Sequence, residues 1–323
     1  MDYTRIIKEV GRGKNHARDL SQDTAYQLYG QMLNGQVPEL ELGGLLIAFR
    51  IKGESAAEMR GFIRRCASKR CHCRPPSQRP LPVVIPSYNG ARKQANLTPL
   101  LALLLHKLGL PVVVHGVRQD PSRVTTLEIL SLLGVPCAQD ADSAQQALDQ
   151  HQPVFLPIDV LCRPMARQLD LRWRMGVRNS AHTLAKLATP FDDAAALRLA
   201  SVSHPEYIGR VGAFFHDIGG RALLMQGSEG EVYASAQRCP EIHFIYQHQQ
   251  QRLQPRQDIA VAQDTLAQDK SAQATADWTA RCLAGEVAVP QAIRLQLACC
   301  LVAAGEAQSL EEAHTMLNRL LVS

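Results

Sequence analysis

No apolar run in this chain approaches the roughly 18 residues that cross a bilayer; Leu100-Leu101-Ala102-Leu103-Leu104-Leu105 is cut short by His106 and Lys107. The start, Met1-Asp2-Tyr3-Thr4-Arg5, has no apolar signal core, so a protein kept in the cytoplasm, with no membrane partner, is expected. The nine cysteines are odd in number and scattered, which excludes a regular disulfide framework and fits reduced thiols. Internal repeats are missing, as are a Walker loop, a dinucleotide fingerprint and any Ser-His-Asp or paired-carboxylate motif. Most telling is a lack of acid: residues 59–119 contain no Asp or Glu at all.

That acid-free stretch carries Arg60, Arg64, Arg65, Lys69, Arg70, Arg74, Arg79, Arg92, Lys93, Lys107 and Arg118. A second cluster sets Arg163, Arg167, Arg172, Arg174 and Arg178 against the single Asp170. From Val211 onward the sign reverses, with 8 basic and 12 acidic residues, although the whole chain is only +5. A basic half and an acidic half point to a polyanionic partner for one face. Arg outnumbers Lys by 27 to 8, and its planar fork matches phosphate and stacks on bases. A genome rich in Arg codons would produce the same bias.

The 323 residues, 46% of them hydrophobic, are enough for about two domains of roughly 150 residues each. Three helices are expected first. Ser21 caps a run with Ala25, Leu28, Tyr29, Met32 and Leu33 in phase, and the second runs from Glu39 to Arg50. The third spans residues 56–68 with Met59, Phe62, Ile63 and Cys66 inward and Arg60 and Arg64, with Arg65 at the margin, toward water. Prolines 75, 76, 80 and 82 mark a boundary. Beyond it strand-like and helix-like segments alternate: Val83-Val84-Ile85, a helix from Thr98, Val112-Val113-Val114, a helix over 124–133, Val154-Phe155-Leu156, 204–217 and Ala222 to Met225. The expectation is an α/β fold with a largely parallel sheet and a small all-helical N-terminal domain. The division expected is 1–79 helical, with a helical segment near 163–190 packing on it, and 80–323 α/β. Residues 249–270, polar and Gln-rich, read as a surface excursion, with helices again over 278–283, 291–304 and 310–321.

The segment from Pro86 to Asn96 lies between a strand and a helix start, the usual ligand crevice of an open α/β sheet, where backbone donors favour an anion. Arg92 and Lys93 would add charge, and the plainer alternative is a polar connection capped by Asn96 or Thr98. His115-Gly116 ends the next strand, where a lone His is more often structural than catalytic. Arg172-Trp173-Arg174-Met175-Gly176-Val177-Arg178 combines guanidinium groups with an aromatic, suited to phosphates and unstacked bases, or else is a helix with Trp and Met inward. Gly11-Arg12-Gly13-Lys14 is a second basic loop or a hinge. Cys66, Cys71, His72 and Cys73 lack a second ligand pair and sit among cations, so no metal is expected.

The order of these motifs resembles the anthranilate phosphoribosyltransferase family (glycosyltransferase family 3). Arg50-Ile51-Lys52-Gly53-Glu54-Ser55 is similar to its R-x-K-G-E-T, Asn96-Leu97-Thr98 to its N-x-S-T, and His115-Gly116 to part of its K-H-G-N. Leu127 to Val135 resembles its L-E-x-L-G-V, and Arg172 to Arg178 its R-x-x-L-G-x-R-T, with Arg172 at the anthranilate position. The departures fall on the chemistry. The family's G-T-G-G-D-G diphosphate loop is Pro86-Ser87-Tyr88-Asn89-Gly90-Ala91 here, Val114 and Val117 replace its lysine and asparagine, and Val232 and Tyr233 stand where its magnesium-binding acids belong. The loop wording resembles a divergent branch of the family that binds nucleic acid and lacks transferase activity. The resemblance implies a homodimer through the helical domain and nucleic acid (DNA, with RNA also open) as partner, with no cofactor and no catalytic residue. Arg12, Lys14, Arg92, Lys93, Arg118, Arg172, Arg174 and Arg178 would make basic grooves. Ser87, Asn89, Gly90, Asn96, Thr98 and His115 would be the remnant of the anion loop. The rival expectation is a phosphoribosyltransferase working on another acceptor or anion.

Overall fold

The computed structural model describes residues 1–13, 15–260, 266–267 and 269–321. It divides into two compact units: Met1–Cys71 with Ile158–Ala188, and His72–Pro157 with Thr189–Ser323. The first break thus falls at Cys71 rather than after residue 79, and Ile158–Ala188 leaves the α/β unit discontinuous.

The first unit is all helix: α1 (Tyr3–Val10), α2 (Gln22–Leu33), α3 (Glu39–Lys52), α4 (Ala56–Ala67), and later in the chain a group that begins with Ile158. Ser21 caps α2 by accepting from the Thr24 N–H at 3.2 Å, and Ser55 with Glu58 forms a capping box on α4. Tyr29 stacks on Phe62 at 4.7 Å and Phe49 meets it edge-on at 5.2 Å, forming the core. The Arg-Ile-Lys-Gly-Glu-Ser motif is structural here. Lys52 Nζ bonds the fully buried Glu58 at 2.7 Å and Asp19 at 2.5 Å, and Gly53 at φ +77° turns the chain out of α3. Arg60 and Arg65 are not simply on a wet face: Arg60 donates to Gln22 at 3.1 Å, while Arg65 bonds the Tyr26 hydroxyl at 3.2 Å and covers its ring.

The second unit holds β1 (Val83–Ser87), α5 (Thr98–Lys107), β2 (Val112–Gly116), α6 (Thr126–Leu132), α7 (Ala141–Asp149) and β3 (Val154–Pro157). The chain then returns to the first unit for α8 (Ile158–Leu161), α9 (Arg163–Met175) and α10 (Ala181–Lys186). Back in the second unit follow β4 (Leu197–Val202), a 3₁₀ turn, α11 (Ile208–Asp217), β5 (Arg221–Gln226), β6 (Arg238–Cys239), β7 (Ile242–Tyr246), β8 (Gln249–Gln254) and β9 (Gln257–Asp258). The helices α12 (Ala272–Leu283), α13 (Gln291–Ala304) and α14 (Leu310–Leu321) close the chain. The seven-stranded sheet runs β3-β2-β1-β4-β5-β7-β8, parallel through β5 and antiparallel at the β7–β8 edge. Residues 249–258 are therefore not an excursion: β8 pairs with β7, because an edge strand needs backbone partners more than apolar side chains. α13 is buried nearly all round, as a helix apolar on every side must be, and packs with α5 against the sheet. No helix of the described residues is long and apolar enough to cross a membrane.

In the first unit His182, on α10, is buried, and its Nδ1 lies 3.2 Å from the Asn179 N–H. Burial, followed by the charges of Arg178 and Arg172, pushes the imidazole down to about 3. The folded protein keeps this ring neutral while the unfolded chain protonates it near 6.5. His182 thus favours folding in full above that pH, and its contribution is lost as pH falls from about 6.5 toward 3, at up to about 1.4 kcal/mol per pH unit. Urea denaturation between about pH 6 and pH 4 should show a shallower loss of stability in His182→Gln than in the unmodified protein. Identical slopes would rule out this source.

Candidate anion loop and basic surfaces

Strand order reverses at β1, whose connection leads to β2 on one side while β4 continues on the other, so the carboxyl end of β1 opens a crevice. The loop of residues 87–98 lies there. Gly90 takes φ +62°, and a Cβ on it would come within 2.7 Å of the Val124 carbonyl oxygen. Gly116, ending β2, has no room at all, since a Cβ would collide with the Ser87 carbonyl. These glycines fix the loop's path against its neighbours.

What fills the loop is the chain's own turn after β5. Glu231, fully buried, accepts through Oε1 from the Asn89 N–H at 2.7 Å and the Gly90 N–H at 2.8 Å, and through Oε2 from the Thr98 hydroxyl at 3.3 Å. Glu229 Oε1 accepts from the Lys93 N–H at 2.9 Å and the Gln94 N–H at 3.3 Å, while its Oε2 accepts from the Arg92 N–H at 3.2 Å. The Asn89 amide also donates to the Glu229 carbonyl at 2.8 Å. Arg123 Nη1 stands 3.9 Å from Glu229 Oε2 and donates to the Gly90 carbonyl at 3.4 Å. Two carboxylates thus take the places that backbone donors would offer to an anion. The sequence alone singles out neither; the available signal is Gly227-Ser228-Glu229-Gly230-Glu231 directly after a strand.

The other expected loop residues serve the frame. Neither Asn96 nor Thr98 is the helix cap: the N-cap of α5 is Leu97, without a side-chain cap bond, while Asn96 accepts from the Thr98 N–H at 3.1 Å and its amide donates to the Thr126 hydroxyl at 3.0 Å. Ser87 donates to that same hydroxyl at 2.7 Å. His115 is buried, with Nδ1 2.6 Å from the Tyr88 hydroxyl, so it packs inside the loop rather than lining an open crevice. Val232 and Tyr233 are buried in the core; Gln296 holds the backbone on either side by bonds to the Val232 carbonyl at 2.6 Å and the Ala234 N–H at 2.8 Å. Burial raises the Tyr233 phenol well above its ordinary value. With no carboxylate at these two positions, the residues do not fit a magnesium ion.

Of the expected basic residues, Arg92, Lys93 and Arg118 belong to the second unit and are exposed, whereas Arg12, Arg172, Arg174 and Arg178 belong to the first. Lys14 lies outside the described residues. Arg12 is tied to its own helix, with Nε on the Lys8 carbonyl at 3.0 Å and Nη2 on Glu9 at 3.1 Å. Arg174 grips Glu39 through both nitrogens at 3.1 and 3.3 Å. Trp173 does not turn inward. It is 52% exposed, and the Arg172 guanidinium lies 4.1 Å from its ring centroid. Arg163 and Arg167 are exposed on the same helix.

Residues 4–69 match the model of the glycosyl transferase family helical bundle domain, and residues 89–323 that of the family's a/b domain. A protein of Escherichia coli (strain K12) named uncharacterized protein YbiB is 60% identical over 319 residues, covering 99% of both chains. Anthranilate phosphoribosyltransferase of Methanothermobacter thermautotrophicus is 24% identical over 72% of this chain and 64% of its own. The crystal structure of anthranilate phosphoribosyltransferase from Thermus thermophilus superposes with a TM-score of 0.79 at 24% identity, covering 100% of this chain and 95% of that one. The Saccharomyces cerevisiae enzyme in complex with PRPP and Mg gives 0.76 at 13% identity, covering 99% and 93%.

The two carboxylates differ in what their loss exposes. Glu231→Ala strands buried N–H donors and should lower stability by about 3 kcal/mol. Glu229→Ala leaves donors at the exposed rim, which water can satisfy, and should cost about 1 kcal/mol or less. Paired denaturation curves check the order, and equal losses would contradict the assignment of Glu231 as the structural anchor.

Proposed function

Because the chain belongs to the glycosyl transferase family whose helical-bundle and a/b domains it carries, we propose that it binds nucleic acid on a phosphoribosyltransferase-like scaffold and catalyses no transfer. The observation that carries this reading is the exposed Trp173 with Arg172 laid against its ring, on a helix that also presents Arg163 and Arg167. An exposed indole flanked by guanidinium groups suits the stacking of an unpaired base beside its phosphates. Exposed Arg64 and Lys69 add positive charge to the surface of the first unit, and exposed Arg92, Lys93 and Arg118 to that of the second. Affinity on such a surface comes from phosphate contacts and released counterions, with little reading of base edges. The non-catalytic part is supported by the loop that Glu229 and Glu231 fill and by the absence of acids at Val232 and Tyr233.

Anisotropy titrations with mixed-sequence single-stranded and duplex DNA, and with RNA, should give similar affinities across sequences and a steep salt dependence. Five phosphate contacts on duplex DNA, at about 0.9 each, correspond to a log–log slope of about 4 to 5. Replacing Arg92 and Lys93 by Ala should lower it by up to about 2. Trp173→Ala should weaken single-strand binding about 10-fold and duplex binding less. A slope near zero would reduce the charge to ordinary solvated surface. Turnover of phosphoribosyl diphosphate with anthranilate and magnesium would return the chain to the enzymes.

We also propose that the chain pairs with a second copy through its helical unit. On α3, Leu40, Ile47 and Ile51 share one face at spacings of seven and four and are 84%, 37% and 56% exposed. Gly43 and Gly44 lie between them, and a Cβ on Gly43 would meet nothing within 4 Å, so another helix can approach closely. Leu40→Lys combined with Ile51→Lys should shift sedimentation from dimer to monomer. A dimer that survives both changes would place the interface elsewhere.

A further inference from the structure

Cys71 is the residue at which the chain leaves the first unit, and Ile158 is the residue at which it returns. The two crossings meet inside that unit, where the Cys71 N–H donates to the Leu161 carbonyl at 2.8 Å. Cys162 follows Leu161 in the chain. A backbone bond of that length therefore sets the Cα atoms of Cys71 and Cys162 at roughly the 4.4–6.8 Å that a disulfide spans. The pair also interacts electrostatically. Burial holds the Cys162 thiol above its ordinary value and the Met165 N–H opposes this, while Cys71 raises it further against the charges of Arg70 and Lys69. All nine cysteines are thiols in the structure, so the pair is reduced.

The two sulfurs differ in access. Cys71 is half-buried in an irregular segment just past α4, whereas Cys162 is 1% exposed at the N-cap of α9. An oxidant from solution reaches Cys71 first. We propose that Cys71 is an oxidation site for hydroperoxides and that Cys162 resolves it, forming a disulfide that ties the outgoing crossing to the returning one. In the first step the Cys71 thiolate attacks an oxygen of hydrogen peroxide; the O–O bond breaks, a sulfenic acid forms and hydroxide leaves. In the second, the Cys162 sulfur attacks the sulfenic sulfur; the S–S bond forms, the S–O bond breaks, and the hydroxyl leaves as water with the Cys162 proton. The two thiols give up two electrons and the peroxide takes them. Cys66 stays out: it is buried within α4, and burial, followed by the neighbouring Cys162, pushes its thiol well above the ordinary value. Cys73 belongs to the second unit, where its N–H donates to the Pro190 carbonyl at 2.9 Å. The bridge closes residues 71–162 into one covalent loop whether or not the protein binds nucleic acid.

The test uses the full chain, reduced and then freed of reductant, with hydrogen peroxide as the probe. Remaining thiols are blocked, and the protein is digested and weighed by mass spectrometry without reductant. The expected product is one link between the peptides of Cys71 and Cys162, with two of the nine thiols lost and both recovered by dithiothreitol. A tryptic peptide that carries Cys71 also carries Cys73, so variants separate them. Cys73→Ser should keep the link and Cys71→Ser should abolish it. Cys162→Ala should leave Cys71 as a sulfenic acid, captured by dimedone as a single adduct. If that variant proves unfolded by circular dichroism, dimedone added to the unmodified protein together with peroxide should label Cys71 at the expense of the link. The oxidised chain should also unfold at a higher urea midpoint than the reduced chain, because loop closure constrains the unfolded state. A link that joins Cys66 or Cys73 instead, that survives Cys71→Ser, or that forms only in urea overturns the proposal. So does over-oxidation of Cys71 with Cys162 left as a thiol. The DNA titrations are run in reductant, so the two readings fail separately.

Discussion

The buried carboxylate of Glu231 is the contact on which the crevice depends. A backbone loop at the end of a central strand has N–H groups that must find acceptors once water is excluded. In this chain the acceptor comes from residue 231, more than 130 residues away in sequence, across the carboxyl ends of β1 and β5. The bond to Thr98 ties the same carboxylate to the first turn of α5, so strand, loop and helix are fastened by one side chain. Gln296 secures the other end of the segment from inside α13, which keeps the turn from withdrawing.

The N–H donors of Asn89 and Gly90 are satisfied by Glu231, and those of Arg92, Lys93 and Gln94, at the exposed rim, by Glu229. Val232 and Tyr233, next in the chain, add apolar burial and no carboxylate oxygen. Both carboxylates are turned onto backbone donors, while much of the positive charge of the chain stays on the surface.

Charge that looks uniform in one dimension is sorted in three. Arg60 and Arg65 spend their guanidinium groups on α2, Arg12 on the end of its own helix and Arg174 on Glu39. Exposed pairs such as Arg174 with Glu39 contribute little to stability and exchange partners readily, so they do not bar a phosphate. Arg65 is different: half-buried, its guanidinium lies over the Tyr26 ring and donates to its hydroxyl.

The sequence by itself determined the alternation of strands and helices, since runs such as Val83 to Ile85 and Val112 to Val114 and the Ser21 before its helix are local signals. It also determined what the crevice lacks, because absent acids and glycines are visible without coordinates. Residues 249–254 read as an excursion because an edge strand made of Gln carries no periodic apolar signal and exists through its pairing with β7. Trp173 facing solvent is likewise undecidable from helical phase alone. Only the tertiary structure decided where Glu229 and Glu231 go. A carboxylate in a Gly-rich turn reads as solvated surface until folding brings distant backbone donors to it, and that convergence is a property of the sheet order, not of any segment.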